Sequence, residues 1–273
     1  MILPEKTISA PDEAIVHWIK NAADSVTNYF GHYPVEQVTI TLNPHGWGGV
    51  SGGMTSRSGI FVSLSPRIQQ RQLDSDWIMT HEMFHLAFPE MDDQFNWLAE
   101  GLATYLEPIA RARMGFVTPE KVWKDMIEGC PNGQPQANDE GLNNTHTWGR
   151  TYWGGATFCL LADLKIREQT HNKKSLDDAM RAILDAGGNR YQSWTIDKVL
   201  EVGDRATGTR VLHQLYADMT SKPDPVDLVD LWNELGIEYA DGNVSFEDAA
   251  PLSTIRESMT QLRHPRNVVV LGD

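Results

Sequence analysis

Apolar residues recur in two rhythms along the chain, and the change between them predicts the elements. Ile15, Trp18, Ile19, Ala22, Val26 and Tyr29-Phe30 fall at intervals of three and four, a helix announced by Ser9 and Pro11-Asp12-Glu13 and ended by Gly31. In VEQVTITL the rhythm shortens to two, with Val38, Ile40 and Leu42 against polar neighbours, which predicts a half-buried strand stopped by Asn43-Pro44. The glycine-rich HGWGGVSGGMTSRSG then predicts a flexible hairpin loop, and GIFVSL, Gly59 to Leu64, a second strand. From residue 74 onward the longer rhythm dominates. Asp74-Ser75-Asp76 open a helix at WIMTHEMFHLAF, and Asp92-Asp93 cap another at NWLAEGLATYLE, with Pro108 and Gly115 as its breakers.

Beyond these, TPEKVWKDMIEG predicts a short helix with Pro119 in its first turn. A long polar stretch, CPNGQPQANDEGLNNTHTWG, separates it from a helix over RTYWGGATFCLLADLKIRE. SLDDAMRAILDAGG, TIDKVLEVGDRATG, TRVLHQLYADM, KPDPVDLVDLWNELGIEY and EDAAPLSTIRESMTQL add further helices, and NVVVLGD a final strand or tail. The pattern is therefore α+β and mostly helical, divided as 1–128, a loop over 129–150, and 151–273.

Within that frame one stretch carries chemistry. HEMFH places His81 and His85 one helical turn apart, so both imidazoles can reach one tetrahedral zinc ion. Glu82 lies beside them, placed to act as general base on a water without being a ligand. On the next predicted helix Trp97, Glu100, Thr104 and Glu107 share one side, opposite Leu98, Leu102, Tyr105 and Leu106. An inward carboxylate needs a partner. A cation held by His81, His85 and Glu100 provides it and leaves a fourth position open, as a catalytic zinc requires. Glu107 is either an orienting group behind a ligand imidazole or a solvated carboxylate. His17, His32, His171 and His213 lie apart from these residues and read as surface or packing groups.

HEMFH followed by NWLAEGLATYLE resembles the gluzincin metallopeptidases, in particular the glycyl aminopeptidase family and the aminopeptidase N superfamily, whose second helix carries W-x-x-E-G-x-[AST]-x-Y. The gap between His85 and Glu100 is shorter here than in those families. The resemblance implies a thermolysin-like zincin catalytic module, with a small β/α amino-terminal lobe, a helical carboxy-terminal lobe and an edge strand beside the zinc helix for substrate. It implies substrate contacts at Gly52, Gly53 and Met54, which match a G-G-[LM]-E-H or G-x-M-E-N segment. Thr55 stands where those families carry the glutamate that grips a substrate amine. RTYWGGA is similar to their Y-x-[KR]-G-[AG] element, whose tyrosine donates to the reaction oxyanion. Tyr152 fills that place, with His146 and Arg150 as rival donors.

Composition narrows the partners. With a net charge of -14 and a pI near 5.0 the chain shows no basic run for nucleic acid. No stretch is long and apolar enough for a membrane span. The glycine-rich segment lacks the Lys-Ser/Thr ending of a phosphate loop. The first residues lack a signal-peptide pattern, which points to the cytoplasm unless a leader has been removed. Cys130 and Cys159 read as unrelated thiols, with a disulfide between them as the alternative. The resulting expectation is a zinc-dependent hydrolase of a peptide or small amide. The alternatives are a zinc hydrolase of a non-peptide substrate and a zinc-bound peptide-binding module without turnover. No particular oligomer is implied.

Overall fold

The structure is a computed structural model and describes residues 8–263; the expected final strand at NVVVLGD lies outside them. Helix α1, Asp12–Phe30, buries Ile15, Trp18, Ile19, Val26 and Tyr29 along one side. Gly31 ends it by donating its N–H to Thr27 O.

Three strands follow: β1, Ile40–Pro44; β2, Val50–Ser56; and β3, Gly59–Leu64. Their order is β1-β3-β2, with β1 parallel and β2 antiparallel to β3. Two expectations change here. The first strand starts at Ile40, later than its alternation suggested, and runs on through Asn43 and Pro44. Proline is tolerated because β1 is an edge strand. The glycine-rich segment expected to be a loop contains β2, the other edge, and its glycines serve close packing (below).

Two helices then lead to the site: α2, Gln70–Asp74, and α3, Ile78–His85. A 3-10 turn over Asp93–Phe95 enters α4, Asn96–Arg113, and no side chain caps that turn. Helix α4 runs straight through Pro108, the predicted breaker. Ile109, Ala110 and Ala112 beyond it are buried, so packing overrides the proline. Helix α5, Pro119–Gly129, is capped by Thr118, whose hydroxyl oxygen accepts from Lys121 N–H.

The helical part comprises α6, Gly155–Gln169; α7, Leu176–Asp185; α8, Ile196–Thr207; α9, Val211–Met219; α10, Leu228–Glu234; and α11, Ser253–Thr260. An unforeseen hairpin, β4 Ile237–Ala240 and β5 Asn243–Phe246, sits between α10 and α11. Gly101 of α4 and Gly155 of α6 touch backbone to backbone, and a Cβ on either would overlap the other. This close crossing seats the segment just before α6 near the zinc motif. Cys130 and Cys159 are both buried and free. Among the described residues no helix is long and apolar enough to cross a membrane.

Candidate metal centre

Helix α3 is positioned by Asp76. Its carboxylate accepts from the N–H groups of Ile78 and Met79 at 3.1 and 3.0 Å, which caps the helix, and from Trp18 Nε1 at 2.9 Å, which ties it to α1. Met79, Met83 and Phe84 sink into the core, and His81, Glu82 and His85 are buried beside α4.

Glu100 of α4 meets them. Its Oε2 lies 3.2 Å from His81 Nε2 and 3.4 Å from His85 Nε2. One ligand atom from each of the three residues falls within 4.8 Å of the others. Donors about 2.0–2.1 Å from a common tetrahedral zinc ion stand roughly 3.3 Å apart, so the trio fits that ion. Electrostatics agree. Burial pushes the His81 pKa down, keeping that ring neutral with a lone pair to give. Burial works to raise the Glu100 carboxyl, but the two imidazoles outweigh it and hold it well below the usual carboxylate range. A neutral imidazole facing an ionised carboxylate is the state in which such groups bind a divalent metal.

Glu82 is held from the sheet. Gly53 of β2 packs directly on it, and a Cβ there would lie 2.5 Å from Glu82 Cγ. Two residues on, the buried Thr55 hydroxyl lies 2.7 Å from Glu82 Oε2 and 2.8 Å from its carbonyl oxygen. Nothing in the sequence pattern announced this contact. Gly52 and Gly53 line the cleft beside the site. Met54, also expected there, alternates to the other face of the sheet and is 59 % exposed opposite Phe61.

Tyr152 comes from a π-helical turn, Arg150–Gly154, ahead of α6. Its ring stacks on His81 at 6.3 Å between centroids and on Trp148 at 6.0 Å. Burial, then the charges of Glu100 and Glu82, push its pKa up to about 12, so the hydroxyl stays a donor. The rivals are elsewhere: Arg150 is buried against Asp139 at 2.8 Å and also donates to Gly133 O, and His146 is exposed. Glu107 pairs with Arg111 at 2.6 Å, leaving the buried His81 Nδ1 without a partner. His17, His32, His171 and His213 are not brought to this site.

The cleft in front of these groups measures about 1030 Å³. Trp77, Phe116, Trp148 and Trp153 give it aromatic walls, and Thr104, Glu107 and Arg111 carry it along α4.

The sequence matches no known family model and no curated protein. Its fold is similar to that of an aminopeptidase N family protein from Idiomarina loihiensis, with a TM-score of 0.66 and 15 % identity over 84 % of this chain and 46 % of that one. A second match, the M1 zinc metallopeptidase from Deinococcus radiodurans, has a TM-score of 0.47 at 16 % identity over 82 % of this chain and 48 % of that one, too loose a superposition to argue from. The chain thus spans about half the length of the structures it matches, and its likeness to the first is one of fold.

Proposed function

We propose that this chain is a zinc-dependent hydrolase of peptide bonds. The observation that carries the reading is the convergence of His81, His85 and Glu100 at ligand spacing, with Glu82 buried beside them. In this reading those three residues hold the zinc, which when bound supplies Lewis acidity at neutral pH. Glu82, steadied by Thr55, takes a proton from the attacking water and returns it to the leaving nitrogen, so that water adds across the C–N bond. Tyr152 keeps its proton and donates a hydrogen bond to the oxygen that gains charge. Residues up to 128 supply most of the cleft wall, and the part from 151 onward adds Tyr152 and Trp153. The intervening 129–150 contributes Asn132 and Trp148 to the cleft wall.

The test is metal content and digestion of a broad peptide library by wild type, Glu82→Gln and Tyr152→Phe. One zinc per chain is expected in all three. Turnover should fall by about 10²–10⁴-fold without the base and about 10²–10³-fold without the hydroxyl. Zinc bound at full occupancy with no peptide cut by wild type would overturn the reading and leave a binding module.

A further inference from the structure

The directions of the backbone groups in β2 show where an extended chain finds a free edge. Ile60 gives its N–H to Thr39 O on the β1 side, at 2.9 Å, so its cross-strand partner Thr55 turns its own N–H and C=O away from β3. By the two-residue repeat Gly53 does the same. Gly53 lies against Glu82, and among the described residues nothing is hydrogen-bonded to it on that outer side.

At Thr55 the edge is closed. Its outward carbonyl accepts from Arg190 Nη2 at 3.1 Å. Arg190 is anchored by its own N–H on Leu86 O at 3.0 Å, and the segment after it is clamped to the exit of α3. Glu90 N–H donates to Gln192 O at 2.9 Å, Trp194 N–H to Glu90 O at 3.0 Å, and Arg57 of the β2–β3 turn to Ser193 Oγ at 2.6 Å. A strand laid on β2 therefore pairs at Gly53, over Glu82, and meets a guanidinium one pair later.

Antiparallel addition is the more stable pairing, and it sends the amino-terminal side of a bound peptide toward Thr55. The carboxy-terminal side then runs past Ser51 into the long, aromatic-walled cleft. At the closed end the carboxylates are engaged: Glu82 by Thr55, Glu100 by the two imidazoles, and Glu90 by Arg57. An ammonium arriving there meets the fixed positive charge of Arg190.

We propose that Arg190, backed by Thr55, is a specificity-determining residue that excludes a free α-amine. The substrates are then peptides whose amino-terminal side is short and neutral, such as an N-acylated end. This rests on the hydrolase reading above and narrows its substrate class.

The test uses peptides identical except for an acetylated or a free amino terminus, placed one residue before the scissile bond. Zinc-loaded wild type is expected to cut the acetylated member with a kcat/KM at least about 10-fold higher. Arg190→Glu should reverse that ratio, and Arg190→Lys should keep it. A wild-type preference for the free amine, or a ratio unmoved by Arg190→Glu, overturns the proposal. So does a preference for a free carboxy terminus that Arg190→Glu removes, because the chain would then run the other way. The wild-type comparison needs no variant to fold. Binding of the same pair to Glu82→Gln protein separates the two readings. Tighter binding of the acetylated peptide with no cleavage by wild type removes the hydrolase and keeps the exclusion. Cleavage without discrimination does the reverse.

Discussion

Helix α4 buries charge at both of its ends, and it does so in opposite ways. Near its start Glu100 faces two imidazoles, with no cation of the protein's own between them. At its last residue Arg113, 1 % exposed, pairs with Asp177 at 2.7 Å and donates to Met259 O at 2.8 Å. Asp177 also receives Arg263 at 3.1 Å, while nearby Asp163 takes Arg167 Nε, Tyr105 OH and the N–H of Leu176. In the second cluster both carboxylates are met by guanidinium groups of the protein itself, and the contacts tie α4, α6, α7 and the chain beyond α11 together. The first brings three side chains together at the spacing the proposed zinc site needs. Both are polar and largely withdrawn from solvent, so burial alone does not distinguish a structural cluster from a candidate site. What distinguishes them is whether the carboxylate is met by a permanent cation of the protein, as Asp177 is, or by imidazoles, as Glu100 is.

The largest effect should come from the self-neutralised end. Asp177→Ala strands Arg113 and is expected to lower stability by about 3–5 kcal/mol while leaving zinc stoichiometry intact, read by denaturant unfolding and metal analysis. The guanidinium groups hold the Asp177 carboxyl below its ordinary range despite burial, which works to raise it. The wild-type stability it provides is therefore present above a pH of about 4 and lost as pH falls through the folded-state pKa.

Glu100→Ala should do the contrary. The apo protein is expected to unfold within about 2 kcal/mol of wild type, because the part-exposed side chain gives up only its contacts with two imidazoles and strands no buried charge. The stabilisation that zinc gives wild type, about 2.7 kcal/mol at a free concentration 100-fold above its Kd, should disappear. An apo protein that collapses on Glu100→Ala would erase the distinction between the two ends.

The smallest effect lies between them, at Glu107. Burial outweighs Arg111 and pushes this carboxyl up from 4.5 to about 7. The unfolded chain gives up that proton first, so wild type should lose stability as pH rises from 4.5 to 7. The loss is expected to be on the order of 1–2 kcal/mol, because the group lines an open cleft. Glu107→Gln should flatten that slope in unfolding curves taken at pH 5 and 7.

How much of this was legible follows the range of each interaction. HEMFH and the Trp97-Glu100 face could be read because helix periodicity alone aligns residues three and four apart. The glycine-rich strand could not, since Gly53 and Thr55 serve Glu82 of another element, and glycine in isolation signals a turn. Arg190 was invisible for the same reason: it reaches β2 from 135 positions away. Arg150 was a rival to Tyr152 as oxyanion donor in sequence, and only the fold shows Asp139 and the Gly133 carbonyl taking its guanidinium.

Local periodicity and the chemistry of a few side chains thus determined the mostly helical class, the α3 and α4 helices and the alignment of His81 with His85. Long-range packing decided that Glu100 meets them, which edge of the sheet lies over Glu82, where that edge is closed and that Tyr152 rather than Arg150 stacks on His81. The physical reason is that a helix repeats within four residues, whereas a strand edge and a cleft exist only once distant segments have met.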